Sequence, residues 1–265
     1  MAAGQNMRGL WMWGCLVLAL TPSLAWSQAE LPAREAYLEG LRKYWNGPGG
    51  SMQGVFALAR AAAREQLDAV IEWDKTLAAG KIPKKRFERR LPGFRVGTAK
   101  ALYVIVDSRF FLELAQKRGD ALDRKLFELL HETYNGSASR LYVDRITDVT
   151  ACYHMGSREF IKLYRGWTQF KANHPRAYVE TVNEELQAME HTMLSATCAC
   201  SSREVVDAGF EAFLKVFPKS PIGPQVRQRL ERIHANTSGI TFRCGQELNL
   251  GDPIPYGMEP PKPSP

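Results

Sequence analysis

The chain has 265 residues, 45% of them hydrophobic and 24% charged, with a net charge of +7 at pH 7. These proportions suit a globular protein and exclude a disordered charged tail, a collagen-like repeat and a polytopic membrane protein. The length admits one large domain or two small ones.

Arg8 is the only charged residue before Glu30, and Leu10 to Leu20 is an apolar run. Thr21-Pro22-Ser23 breaks the run, and Ser27-Gln28-Ala29 has small residues at both ends. A positive start, a short apolar stretch and a small-x-small site predict a secretory signal peptide over residues 1–29. The run is shorter than the ~20 residues that span a bilayer, which argues against an uncleaved anchor. Cleavage after Ala29 removes one positive charge and leaves +6. No later window is apolar enough for a stable membrane span, so the mature chain is expected to be periplasmic or secreted.

The mature chain reads as all-α, a single helical domain over residues 30–245 with an extended or disordered tail over 246–265. Pro32 opens a helix with Tyr37, Leu38, Leu41 and Tyr44 on one face, closed by the glycines from Gly47 to Gly50. Ser51 can cap an alanine-rich helix running to Gly80, with Phe56, Ala59, Ala63, Leu67, Val70 and Ile71 at steps of three and four. Glu65, Asp68 and Glu72 share a face of it and read as a solvated mixed-charge surface beside Arg64 and Lys75.

Residues 81–95 break the pattern with Pro83 and Pro92-Gly93. Ala101 to Val106 is a continuous apolar hexamer whose period fits either a buried strand or a buried helix. Helix is favoured because Asp107-Ser108 leads straight into Phe110, Phe111, Leu114 and Ala115. Asp120 caps Leu122 to Tyr134, and Asn135-Gly136-Ser137 is a turn. Residues 140–156 fit helix spacing and strand composition equally.

Phe160, Leu163, Tyr164, Trp167 and Phe170 make a helical stripe ended by His174-Pro175, and Val179, Val182, Leu186, Met189 and Met193 make another. Ser201 and Glu204 have capping-box spacing ahead of Val206, Phe210, Phe213 and Phe217. The break Phe217-Pro218-Lys219-Ser220-Pro221 precedes a last helix from Gln225 to His234. With Phe213-Leu214, Phe217-Pro218, Ser220-Pro221 and Leu230, residues 202–234 resemble one helical hairpin of the tetratricopeptide type found in bacterial envelope proteins. No second copy stands at the ~34-residue period of an array. The resemblance implies helix-on-helix packing and a role in binding. Six prolines fill the last thirteen residues.

Cys152, Cys198, Cys200 and Cys244 remain after the signal. An even number in an exported chain predicts two disulfides. A Cys198–Cys200 bond would close a strained ring, so each reaches a distant partner, and both remaining pairings stay open. Cys152-Tyr153-His154 and Cys198-Ala199-Cys200 also place soft ligands at i and i+2, but structural zinc motifs space cysteines two to four apart. No metal and no cofactor is expected. Histidines 131, 154, 174, 191 and 234 are scattered and build no zinc-protease, haem or nucleophile-elbow motif.

The sharpest functional feature is the basic stretch Lys81, Lys84, Lys85, Arg86, Arg89, Arg90 and Arg95, interleaved with Phe87, Leu91 and Phe94. Cations with aromatics suit an anionic lipid, glycan or protein face. The export signal argues against nucleic acid. Lys84, Lys85, Arg86, Phe87, Arg89, Arg90 and Phe94 are therefore the expected partner-binding residues. The reading is a non-enzymatic exported protein that binds a protein or an anionic envelope surface, such as an inhibitor, an immunity protein or an envelope accessory. The alternatives are an extracytoplasmic enzyme acting on cell-wall or lipid substrates, or a Cys-x-Cys thiol or metal protein.

Overall fold

A computed structural model describes residues 32–47, 50–74, 91–98, 102–137, 139–146 and 150–245. Among these the chain forms helices α1 Pro32–Asn46, α2 Met52–Asp74, α3 Ser108–Arg118, α4 Ala121–Tyr134, α5 Arg158–Asn173, α6 Val179–Leu194, α7 Arg203–Val216 and α8 Gly223–His234. Four short strands accompany them: β1 Phe94–Thr98, β2 Leu102–Val106, β3 Val143–Arg145 and β4 Ala151–Tyr153. The fold is thus mostly helical, braced by two disulfides and two small antiparallel hairpins, rather than all-α. No helix of the described residues is long and apolar enough to cross a membrane.

Helices pack in consecutive pairs, α1 on α2, α3 on α4, α5 on α6 and α7 on α8, and α5 joins α4 to α7. Local chemistry sets their ends. Ser51 Oγ accepts from the Gly54 amide at the start of α2. Asp120 caps α4 through a reciprocal box with Asp123. Glu65 is not merely solvated: its carboxylate accepts from the amides of Ala33 and Arg34 at 3.1 and 3.0 Å. It thereby places a negative charge on the N-terminus of α1, where the helix dipole favours it.

The stripe read on α5 is buried in full, and its Trp167 donates to Thr133 Oγ1 across to α4 at 3.0 Å. Phe56 of α2 interlocks with Phe111, Phe127 and Tyr178 in one cluster of edge-to-face and stacked rings. Val179 departs from its stripe and is 45% exposed. The helix starts only there, after Tyr178 takes a left-handed φ of 51°.

One expectation is corrected and one open alternative is decided. Residues 102–106 are strand β2, paired in the register Phe94↔Val106 to Thr98↔Leu102. Asp107 ends the strand and caps α3 with its side chain, so a helix start can follow a strand without a loop. Residues 143–145 and 151–153 are the second hairpin, with Asp144 opposite Cys152. The cap of α7 also moves by one residue. Ser201 is drawn aside because its carbonyl accepts the Arg243 amide at 3.0 Å, and Ser202 becomes the N-cap. The Ser202 hydroxyl donates to Glu204, which lowers that carboxyl.

Two close approaches demand glycine. A Cβ on Gly209 of α7 would stand 2.5 Å from the Met155 carbonyl, and one on Gly156, at φ +66°, 2.4 Å from the Gly209 backbone. Helix α7 therefore lies directly on the turn that follows β4.

Candidate functional site

The four cysteines converge beside that turn. Four extended segments lie side by side: β3, β4, the stretch around Cys198–Cys200 and residues 241–244. Tyr153 donates to the Cys198 carbonyl and Cys200 donates to the Tyr153 carbonyl. Thr241 and Thr197, then Cys244 and Ala199, continue the network. The disulfides run Cys152–Cys200 and Cys198–Cys244, spanning 48 and 46 residues. The expected long-range bridging is present, and it resolves to one of the two open pairings. Each loop is long enough to contribute about 4 kcal/mol in the chain-entropy view. The loops overlap only at residues 198–200, so each constrains a separate part of the unfolded chain. Two disulfides suit an oxidising compartment.

On the face of β3 that carries Asp144, the residue stands opposite Cys152, and its Oδ2 is 2.7 Å from His154 Nε2. The His154 amide donates to the Tyr142 carbonyl and extends the hairpin. Asp144 is mostly exposed and His154 about one-third exposed. This pair is accessible to solvent and is mounted on a covalently braced frame. Sequence reasoning did not connect Asp144 with His154. The signal was the possibility of a hairpin in 140–156, which puts residues ten apart face to face.

Three of the other histidines make contacts within the fold, and His191 is exposed. His131 Nδ1 meets the buried Ser108 hydroxyl at 3.2 Å, and the His174 ring lies 5.1 Å from that of Phe170. His234 sits 3.8 Å from Asp207.

A second charged cluster lies inside. Glu185, on the buried face of α6, accepts from Arg140 Nε at 2.7 Å and Nη2 at 3.2 Å, and from the Tyr134 hydroxyl at 2.9 Å. Burial, then Glu185, raises the Tyr134 hydroxyl well above its ordinary range. Burial works against the Arg140 charge, but Glu185 outweighs it and holds the guanidinium firmly protonated. Arg229 of α8 is also buried, donates to the carbonyls of Thr192, Met193 and Ala196, and lies over the Phe210 ring. Burial, with Arg232 adding repulsion, lowers it to about 10. Its role is to close the C-terminal end of α6, where unpaired carbonyls and the helix dipole attract a cation.

The basic stretch is divided by the structure. Lys84, Lys85, Arg86, Phe87, Arg89 and Arg90 lie outside the described residues. Phe94 does not belong to an exposed contact surface: it is 3% exposed and edge-on to Phe111 and Tyr37. Leu91 is fully buried, and the Pro92 carbonyl accepts the Tyr37 hydroxyl at 2.7 Å. Arg95 donates to the Gly136 carbonyl and faces Asp107 at 3.6 Å. Aromatic spacing in a basic run thus marked, at Phe94, a core anchor and not a contact residue. Set against known protein families, curated proteins and solved structures, the chain matches none of them.

Proposed function

We propose that the protein is an exported, periplasmic or secreted binding protein that engages an anionic macromolecular surface through Lys84, Lys85, Arg86, Phe87, Arg89 and Arg90. The observation that supports the reading is the placement of this charge. Six cations stand between Lys81 and Arg90, directly before the buried anchor Leu91–Phe94. On the helices, several cations have carboxylates within reach: Arg60 and Arg64 meet Glu180, and Lys162 meets Glu132 at 2.8 Å. Between Lys81 and Arg90 the sequence offers only Glu88. Charge of that density is costly to bury without partners and steers association with an anionic surface. The tetratricopeptide-like reading of residues 202–234 and the disulfide bracing agree with a rigid extracytoplasmic binding module.

The test uses the mature chain and a Lys84→Glu, Lys85→Glu, Arg86→Glu variant. Retention is followed on anionic phospholipid vesicles, on neutral vesicles and on an immobilised sulfated polysaccharide. Wild type binds the anionic supports and elutes as salt rises past ~0.15 M, where charges are screened beyond about 8 Å. The variant loses retention at least tenfold with an unchanged melting temperature. Retention that survives the reversal, or absence of retention by wild type on every anionic support, overturns the proposal.

A further inference from the structure

We propose that Asp144, Cys152, His154 and Cys200 form a latent zinc site that opens when the Cys152–Cys200 disulfide is reduced. One ligand atom from each of Asp144, Cys152 and Cys200 lies within 4.8 Å of the other two. His154 stands outside that group, but its Nε2 is 2.7 Å from Asp144 Oδ2, so the imidazole adjoins the group through Asp144 and turns in to join the donors once the sulfurs part. The backbone accounts for this meeting. Directly opposed residues of a hairpin share a face, which puts Asp144 beside Cys152. Residues two apart along an extended strand also share a face, which puts His154 beside Cys152. The neighbouring segment is held to β4 by the Tyr153–Cys198 and Cys200–Tyr153 hydrogen bonds and delivers Cys200. None of these hydrogen bonds depends on the sulfur–sulfur bond.

Two thiolates, an imidazole and a carboxylate make a tetrahedral donor set suited to zinc. The opening step consumes a dithiol. The disulfide takes up two electrons and two protons, its S–S bond breaks to two thiols, and the dithiol closes to its own disulfide. Zinc then replaces the two thiol protons, which leave to solvent, while neutral His154 donates a lone pair and Asp144 its carboxylate. In the oxidised protein the sulfurs are bonded to each other, and Asp144 with His154 supplies two donors only. Redox state therefore decides whether the metal is held. Cys198 and Cys244 stand outside the set.

The experiment titrates zinc into the mature chain before and after reduction, in competition with a chromophoric zinc chelator, with cobalt absorption as a second signal. The oxidised chain does not compete with the chelator. The reduced chain takes up one zinc, releases about two protons and gains melting temperature on binding, because metal bound to the folded state stabilises it. Cys152→Ser with Cys200→Ser abolishes uptake, and Cys198→Ser with Cys244→Ser retains it. Asp144→Asn and His154→Ala leave both disulfides in place and change accessible side chains, so they carry the test if a cysteine variant does not fold. Each weakens zinc binding by at least about tenfold, as loss of even an outer partner of a metal ligand does. Failure of the reduced chain to bind zinc, binding unchanged in both of these variants, or binding that follows Cys198 and Cys244 overturns the proposal.

Discussion

Glu185 is the charge on which the interior most depends, and its removal yields a measurable coupling. Its side chain is 5% exposed and receives three hydrogen bonds, two from Arg140 and one from the Tyr134 hydroxyl. Substituting Glu185→Leu leaves the Arg140 guanidinium without its carboxylate and the Tyr134 hydroxyl without an acceptor. Breaking a buried ion pair from one side costs about 3–5 kcal/mol. The Arg140 side chain is 28% exposed, so water takes over part of the loss, and about 2–3 kcal/mol is expected. Arg140→Met leaves the less exposed partner without its cation and with the Tyr134 hydroxyl alone, and costs about 3–4 kcal/mol on the same reasoning. The double variant Arg140→Met, Glu185→Leu leaves no orphaned charge and costs less than the sum of the singles by about 2 kcal/mol or more. Urea unfolding of the four proteins, followed by far-ultraviolet circular dichroism, measures the cycle. If the single effects add to within about 0.5 kcal/mol, the pair is not coupled and the account of this cluster is wrong.

Alkaline pH should loosen the fold. Burial raises the hydroxyls of Tyr37, Tyr142 and Tyr178, with Asp123 adding to the last. Above pH 10 the unfolded chain loses these protons while the folded chain keeps them, so stability falls by about 1.4 kcal/mol per pH unit for each. Arg229, lowered to about 10 by burial and then Arg232, works in the opposite sense over the same range and offsets one tyrosine. A net fall of about 3 kcal/mol per pH unit remains from these groups, Tyr134 adds to it in the same sense, and stability that holds or rises between pH 10 and 11 in urea titrations would contradict it. For the helix-on-turn contact, Gly209→Ala should cost about 1–3 kcal/mol through overpacking, and Gly156→Ala more because its backbone is left-handed as well. Gly223→Ala, with nothing within 4 Å of the added carbon, should be neutral or stabilising in the same urea assay, and equal costs at all three positions would defeat the packing argument.

What was legible in the residues depended on how many constraints each segment carried. Helix α5 has five large apolar residues at helical spacing and a His174-Pro175 stop, and both signals agreed with the structure, which adds a Ser157 cap. Residues 102–106 had a run of apolar side chains and no polar face, so period could not distinguish strand from helix, and the deciding partner, β1, lay beyond a short connection. The buried charges were written on the stripes themselves. Glu185 stands between Val182 and Met189, and Arg229 between Val226 and Ile233, at steps that place them among the buried residues of α6 and α8. A charge on an apolar stripe implies a partner within reach, but not which one. Arg140 and the carbonyls at the end of α6 come from segments whose approach is tertiary.

The same logic explains why the pairing of Asp144 with His154 escaped notice while that of the cysteines did not. Composition alone announces a cysteine pair in an exported chain, because covalent bonding needs only proximity. A carboxylate and an imidazole acquire meaning from register, since a slip of one residue would send one of them to the opposite face. Here the register is pinned twice, by the backbone ladder from Val143↔Tyr153 to Arg145↔Ala151 and by the Cys152–Cys200 bond beside it. Removing the bond leaves the ladder and the Tyr153–Cys198 and Cys200–Tyr153 hydrogen bonds to hold the four donors. Zinc uptake by the reduced chain therefore also reports whether hydrogen bonding alone holds this corner of the molecule in register.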